Sequence, residues 1–461
     1  MELILAIEVT IFMSCRTNRK ARVSPRKVTI QNTAQGLTSQ AGLLPVVKFL
    51  DKLGADNLLR RHVSLERGNN AVYELTDVIW LSLVAIVGGS RSLVGITTVW
   101  SDTVLRKMAG WARIPDSTNL GRIFKTSSLA TITQLETVVH VFRGRVWKKV
   151  FSAGLLPVAL RCQMWIDTDS TVKTVYGEQE GARKGYNPHK RGALSYHPLI
   201  AFCAATKEIL QGWLRSGDAY TSNGIVEFMR QLLAHLPKAI RIVLRADSGF
   251  FGGDLLNFLE SLGHGYLIKV KLKGLCDLLA GQDWKPVKGQ PGWEQCIFWY
   301  RCADWKEERR FVAVRLMVPV ENCGKQLQLD FGPTVKYEYF CYVTTEELTG
   351  WQAHKKYGQR ATCETWIDEA KNQMGLAHIR TDSFLANSAL FQCAILAYNT
   401  LRWMAMMSGD KTLRSWEVQT IRAFLIRVAG KLLVGGNQLQ LKTPPDHLYA
   451  TQWDAWTALA I

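Results

Sequence analysis

The chain has 461 residues, of which 47% are apolar and 21% charged; that is the balance of a folded globular protein of two or three domains and excludes a disordered chain. Its 57 Lys and Arg against 39 Asp and Glu give a formal charge of +18, which suits a polyanionic partner, nucleic acid before an anionic membrane. Ten cysteines without a CxxC pair or an accompanying histidine cluster argue against structural zinc and for reduced thiols.

The first residues, MELILAIEVTIFMSC, are apolar but carry Glu2 and Glu8, and positive charge follows the run rather than preceding it. That order is wrong for a secretory signal, and the run is too short to cross a bilayer. A soluble, cytoplasmic protein with no membrane partner is expected. Residues 16–27, RTNRKARVSPRK, hold six basic residues and no acid. They make 1–30 a flexible basic segment, either solvated or touching nucleic acid.

Residues 31–155 read as a helical DNA-binding region. LLPVVKFLDKLGADNLLRR repeats its apolar residues at helical spacing, and YELTDVIWLSLVAIVGG is a mostly buried helix ended by glycines. IPDSTNLGRIFKT offers Asp116 or Ser117 as a helix N-cap, with Arg122 and Lys125 on the helix that follows. A helical bundle with no DNA role would look much the same.

From about residue 160 the period changes. CQMWIDTD alternates, with Gln163, Trp165, Asp167 and Asp169 on one face. HPLIAFCAAT and ILQGWLRSG read as a hairpin turning at Lys207–Glu208. NGIVEFMRQLLAHL is an amphipathic helix, AIRIVLRAD a strand, GDLLNFLESLG a helix and YLIKVKL a strand. This order over 156–274 predicts a mixed sheet flanked by helices. Residues 275–347 alternate in short aromatic runs such as CIFWYRC, RRFVAVRLMVP and YEYFCYVTT, a β-rich insertion. A helix over Leu348–Met374 follows, then SALFQCAILAYNTLRWMAMM, completing 348–407. In the helical C-terminal region 408–461, WEVQTIRAFLIRVAGKLL reads as a helix with Arg422 and Lys431 toward solvent.

Two strands end in carboxylates, the first in Asp167 and Asp169 and the second in Asp247. In the segment KYGQRATCETWIDEAKNQM, Tyr357, Glu364 and Lys371 recur at seven-residue intervals, close to two helical turns, and Arg360 joins the same face. Alone, such a helix reads as a solvated face laced with ion pairs. With strand-end acids upstream, hard carboxylate oxygens suit divalent cations, and a basic surface suits a phosphodiester substrate.

These features resemble the bacterial insertion-sequence DDE transposases that carry a Y-x2-R-x3-E-x6-K signature. The helix is similar at all four positions, Tyr357, Arg360, Glu364 and Lys371. Asp169 lies in a DST context and Asp247 in DSGF, both like the family's, and YGEQEGARKGYNPHKRGALSYHPLIAF also looks like one branch. The resemblance covers about 160–400 firmly and the helical N-terminal part loosely. It implies a ribonuclease H-like α/β fold in which Asp169, Asp247 and Glu364 hold two Mg²⁺ or Mn²⁺ ions. Asp167 competes for the first position and Asp368 for the third.

Tyr357, Arg360 and Lys371 would grip the DNA end. A basic, aromatic loop adds Arg183, Lys184, Lys190 and Arg191 as DNA contacts. Among Trp284, Trp293, Trp299 and Trp305, one could stack on a flipped base, although core packing serves any of them. The implied partners are double-stranded DNA, both element ends and target, and a second copy of the chain in the active complex. The implied setting is bacterial and nucleoid-associated. A domesticated, catalytically silent DNA-binding protein and a structure-specific nuclease on the same fold are the alternatives.

Overall fold

The structure, a computed structural model, describes residues 29–64, 71–187, 190–319, 335–376, 378–436 and 438–459. The basic segment proposed for 1–30 lies outside these residues except at its last two positions.

A nine-stranded mixed sheet organises the molecule. In chain order its strands are β1 (Gln163–Ser170), β2 (Leu199–Cys203), β3 (Ile209–Trp213), β4 (Arg241–Ala246), β5 (Gly265–Lys269), β6 (Lys285–Pro286), β7 (Trp293–Tyr300), β8 (Arg309–Pro319) and β9 (Val335–Thr344). Across the sheet they run β6-β7-β8-β9-β5-β4-β1-β2-β3. β1 pairs antiparallel with β2 and parallel with β4, and β4 pairs parallel with β5. The hairpin from β2 to β3 turns through Lys207, held at φ 61°. β9 lies antiparallel against β5, so the aromatic strands of 275–347 extend this sheet instead of forming a separate one.

β2 is buried at every position, which fits a strand covered on both faces. The helix Phe384–Met407 is the largest single cover. It is long and apolar enough to cross a membrane by length and composition, yet 89% of its most apolar window is buried inside the fold. Asn399 both accepts from Ile209 N and donates to Ile209 O, each at 2.8 Å. Gln392 donates to Gly212 O, and Arg143 of the helix Leu129–Ser152 donates to the Ile209 and Leu210 carbonyls. Side chains thereby satisfy the outer edge of β3, an edge that would otherwise offer unpaired peptide groups. The N-terminal helices pack on the same central helix, and one apolar core runs continuously from Leu43 to Trp456.

Local signals hold where chemistry is local. Asp116 caps the helix Ser117–Phe124 through Asn119 N at 2.9 Å, and the helix Leu75–Val87 stops at Gly88.

Two helices differ from expectation. The helix over Leu348–Met374 is three pieces: Gly350–Gly358, Ala361–Asp368 and a π-helical turn Glu369–Gln373. At the first break Arg360 N reaches back to Tyr357 O and Cys363 N to Arg360 O, a tightened i to i+3 pattern. The C-terminal helix ends at Ile426, after which Gly430–Gly435 and Gln438–Lys442 form a hairpin joined to Leu37–Thr38. Leu432, Val434, Leu439 and Leu441 around Gly435–Gly436 carried that hairpin signal. Arg422, expected toward solvent, is buried and donates to Val87 O and Gln373 O at 3.0 Å. Its guanidinium ties the C-terminal segment to the N-terminal helices.

Candidate active site

β1 and β4 run side by side in register, Thr168 opposite Ala246, so Asp169 and Asp247 leave the ends of adjacent parallel strands together. Asp247 accepts from Gly249 N at 2.9 Å and starts a short 3₁₀ turn. Asp169 accepts from Ser170 N at 2.8 Å through Oδ1, while Oδ2 meets Arg360 Nη2 at 2.8 Å. Burial pushes the Asp169 carboxyl up to about 6; Arg360 opposes this and the Asp247 charge adds to it. Burial also works against the Arg360 charge, but Asp169 and then Tyr357 outweigh it and hold its pKa above the usual value. The Asp247 charge acts on both partners, raising the Asp169 pKa and favouring the Arg360 cation.

Asp167 is occupied differently. Arg245 holds both of its oxygens, at 2.6 and 2.7 Å, and both side chains are buried. A third guanidinium donor reaches Lys356 O at 2.5 Å. Arg245 thus joins β1, β4 and the helix Gly350–Gly358 directly beneath the two aspartates. The sequence signal for it was the second of two arginines in the run IRIVLRAD, set directly after the apolar IVL, which periodicity does not interpret. His197 is a second missed neighbour: its Nε2 pairs with Ser170 Oγ at 3.1 Å and its Nδ1 with Ala219 O at 2.6 Å.

Tyr357 lies half-buried against Tyr342, with ring centres 4.8 Å apart. Burial first, and then the charges of Asp247, Asp169 and Glu364 against that of Arg360, push its hydroxyl up to about 12. The charges of all three acids of the expected triad therefore act on this one phenol. Glu364 itself is exposed on Ala361–Asp368. Asp368 is also exposed and bonds Asn372, while Glu369 is buried in an ion pair with Arg402.

Lys371, on the π-turn, donates to Thr171 Oγ1 at 2.9 Å and Val172 O at 3.1 Å, just past Asp169. Burial first, and then Lys173, lower its pKa. Of the four signature residues, Tyr357 and Arg360 turn inward to the acids, Lys371 braces the strand end, and Glu364 faces out.

Arg183, Lys184, Lys190 and Arg191 are exposed around a small sheet of Lys173–Thr174, Leu194–Tyr196 and Arg183–Lys184. Lys190 Nζ sits 4.8 Å above the Tyr176 ring. A Cβ at Gly185 would stand 1.8 Å from Gly217 O, so glycine is needed where this loop crosses the next. Of the four tryptophans, Trp284, Trp293 and Trp305 pack against Tyr339, Trp351 and Phe311, whereas Trp299 is 64% exposed.

Among the described residues no group of three or more His, Cys, Asp and Glu side chains gathers as a metal site. The adjacent pair Asp169 and Asp247 does fit Mg²⁺, which needs only one or two carboxylates and completes its shell with water and substrate oxygens.

No curated protein matches this chain. Among solved structures, a piggyBac transposase synaptic complex with hairpin DNA, determined by cryo-EM, is similar at 12% identity with a TM-score of 0.36, over 83% of this chain and 82% of that one. A family model described as transposase DDE domain group 1 matches residues 20–459. That match spans far more than half of the sequence, and the chain belongs to the DDE transposase domain family, group 1.

Proposed function

We propose that this chain is a cut-and-paste transposase that binds the terminal inverted repeats of an insertion sequence, cleaves the DNA ends and joins them to target DNA. The carrying observation is the emergence of Asp169 and Asp247 together from the ends of adjacent parallel strands. The order β3-β2-β1-β4-β5 with only β2 antiparallel to its neighbours supports a ribonuclease H-like core. Family membership supports the reaction class.

In this reading Asp169, Asp247 and Glu364 are the catalytic acids: Asp169 and Asp247 would hold Mg²⁺ or Mn²⁺, and Glu364 would turn in from the exposed face of its helix to complete a two-ion site. When bound, such ions activate a water or a DNA 3′-hydroxyl and offset charge on the leaving oxygen. Arg360 holds Asp169 in place before ions arrive, and Arg245 fixes the strands that carry both aspartates. Lys371, bonded to Thr171 just past the end of β1, would meet the scissile phosphate, and Tyr357 would contact the same DNA end. Arg183, Lys184, Lys190 and Arg191 neutralise backbone phosphates, and the helical region 31–155 supplies further DNA contacts. Two DNA ends require two copies of the chain in the active complex.

The test is to incubate the chain with the DNA flanking its own gene, with Mg²⁺ or with chelator. Metal-dependent nicks at repeat boundaries, followed by strand transfer, are expected. A second reading, a silent DNA-binding protein, is favoured by one observation: Arg360 already occupies an Asp169 oxygen. Repeat binding without any nicking would select it, and cutting of branched DNA irrespective of end sequence would select a nuclease.

A further inference from the structure

Away from the aspartates, a cavity of about 520 Å³ opens where the N-terminal helices meet the C-terminal segment, and its walls include Ser39, Gln40, Gly88, Arg91, Thr98 and Arg427. The turn after helix Leu75–Val87 shapes one side. Gly89 there has φ 106°, and a Cβ would meet Arg422 Cδ at 3.0 Å and Arg427 Nη2 at 3.5 Å. The glycine therefore lets two guanidinium groups lie against bare backbone.

Among the described residues, none of the three arginines of this place pairs with a carboxylate. Arg422 is buried and its donors end on the carbonyls of Val87, Ile86 and Gln373 and on Met374 Sδ, all neutral. Arg91 and Arg427 are exposed, and among the described residues neither enters an ion pair. The acids on neighbouring segments are engaged elsewhere, Glu417 by Gln373 at 2.8 Å and Asp102 by Thr38. The cost of this crowding is visible: burial first, and then Arg427 and Arg91, lower the Arg422 pKa to about 10. A cluster of like charges held by neutral carbonyls is stabilised by an anion from outside.

The positive charge does not stop at the cavity. A Cβ at Gly375 would lie 2.9 Å from Arg380 Nη2 and 3.8 Å from Arg91 Cγ. His378 feels Arg380, Lys173 and Arg91 in addition to burial, which brings its pKa down to about 4. Lys173 in turn acts on Lys371, which is bonded to Thr171 two residues past Asp169. A single small anion would fill one pocket, whereas cations continuing from the cavity to the strand-end acids match the repeated phosphates of a polynucleotide.

We propose that Arg91 and Arg427, with the Gly88–Ser90 turn, form a phosphate-binding site for the DNA backbone, linked to the catalytic aspartates by the cations of Arg380, Lys173 and Lys371. The choice of DNA as the source of phosphate rests on the transposase reading; the site itself rests on the uncompensated arginines.

Both arginine side chains are exposed, so Arg91→Gln/Arg427→Gln is expected to unfold at the wild-type temperature. Binding of a labelled duplex is measured by anisotropy across a salt series, beside a charge-matched control, Lys288→Gln/Lys306→Gln. The expected result is weaker binding by the arginine variant, with a salt slope reduced by about 1.8 for two lost phosphate contacts, and an unchanged control. Equal slopes in wild type and arginine variant would overturn the site while leaving the transposase reading intact. The same loss in the control would overturn it as well, since net charge alone would then explain the effect. Absence of duplex binding by wild type at any salt would remove both. Displacement of bound duplex from wild type but not from the arginine variant by polyglutamate would transfer the site to an acidic peptide.

Discussion

Arg245 donates to both carboxylate oxygens of Asp167, at 2.6 and 2.7 Å, and neither side chain is more than 2% exposed. The pair lies two residues before Asp169 and Asp247 on the same two strands, and its third bond holds Lys356 O. Removing one partner leaves a buried charge unpaired, so Arg245→Met is expected to cost about 3–5 kcal/mol of stability. Arg245→Met with Asp167→Leu is expected to recover a large part of that loss, because both charges go together. Urea unfolding of the two singles and the double measures it, and additive losses would show that the pair is not coupled.

Glu364 is exposed and enters no ion pair among the described residues. Its replacement should leave stability within about 0.5 kcal/mol of wild type. If Glu364 is the third catalytic acid as proposed, Glu364→Gln should nevertheless lower end cleavage by a factor of ~100 or more, because the anionic charge that would face the metal is lost. End binding is expected to persist. Parallel cleavage and gel-shift assays on repeat DNA separate the two effects; equal loss of binding would reassign Glu364 to DNA contact.

Glu136, on the helix Leu129–Ser152, is buried beside Gln392, and burial pushes its carboxyl up to about 7 from 4.5. The folded state therefore holds a proton that the unfolded chain has already released. This contribution is fully present below pH 4.5 and is lost as pH rises through about 7. Its size is up to about 3 kcal/mol. Glu136→Gln keeps the hydrogen-bonding shape without the charge and should flatten stability between pH 5 and 8, measured as urea midpoints across that range. An unchanged slope would place the proton elsewhere.

Trp299 is 64% exposed and faces Arg310 across the strand pair β7–β8. Trp299→Ala should change thermal stability little. Binding to an end with an unpaired terminal base should weaken by about 1–3 kcal/mol, the worth of one base stacked on an aromatic. Fully paired duplex should be bound as before. Equal weakening on both DNA forms would mean a backbone contact.

The strand-end aspartates were legible because β1 and β4 carry their own signals, apolar alternation closed by acids. The signature helix was legible as helix, since Tyr357, Arg360, Glu364 and Lys371 share a spacing. Its division was not. Arg360 is drawn onto Asp169, 191 residues away in the chain, and the tightened turn at 359–360 serves that contact. The C-terminal hairpin was missed for the opposite reason, a local Gly435–Gly436 signal hidden by helical-looking Leu432 and Leu433.

Asp167 against Asp169 marks the boundary between what sequence and structure decide. Alternation places both on one strand face, because side chains along a strand repeat every two residues. It assigns each no partner. The parallel pairing of β1 with β4 brings Arg245 to Asp167 and consumes both of its oxygens, leaving Asp169 beside Asp247 at the strand ends. The arginines at 91, 422 and 427 show the same limit. Nothing in their spacing joins them, and only the packing of the first helices on the last segment brings their charges together with no ion pair among the described residues.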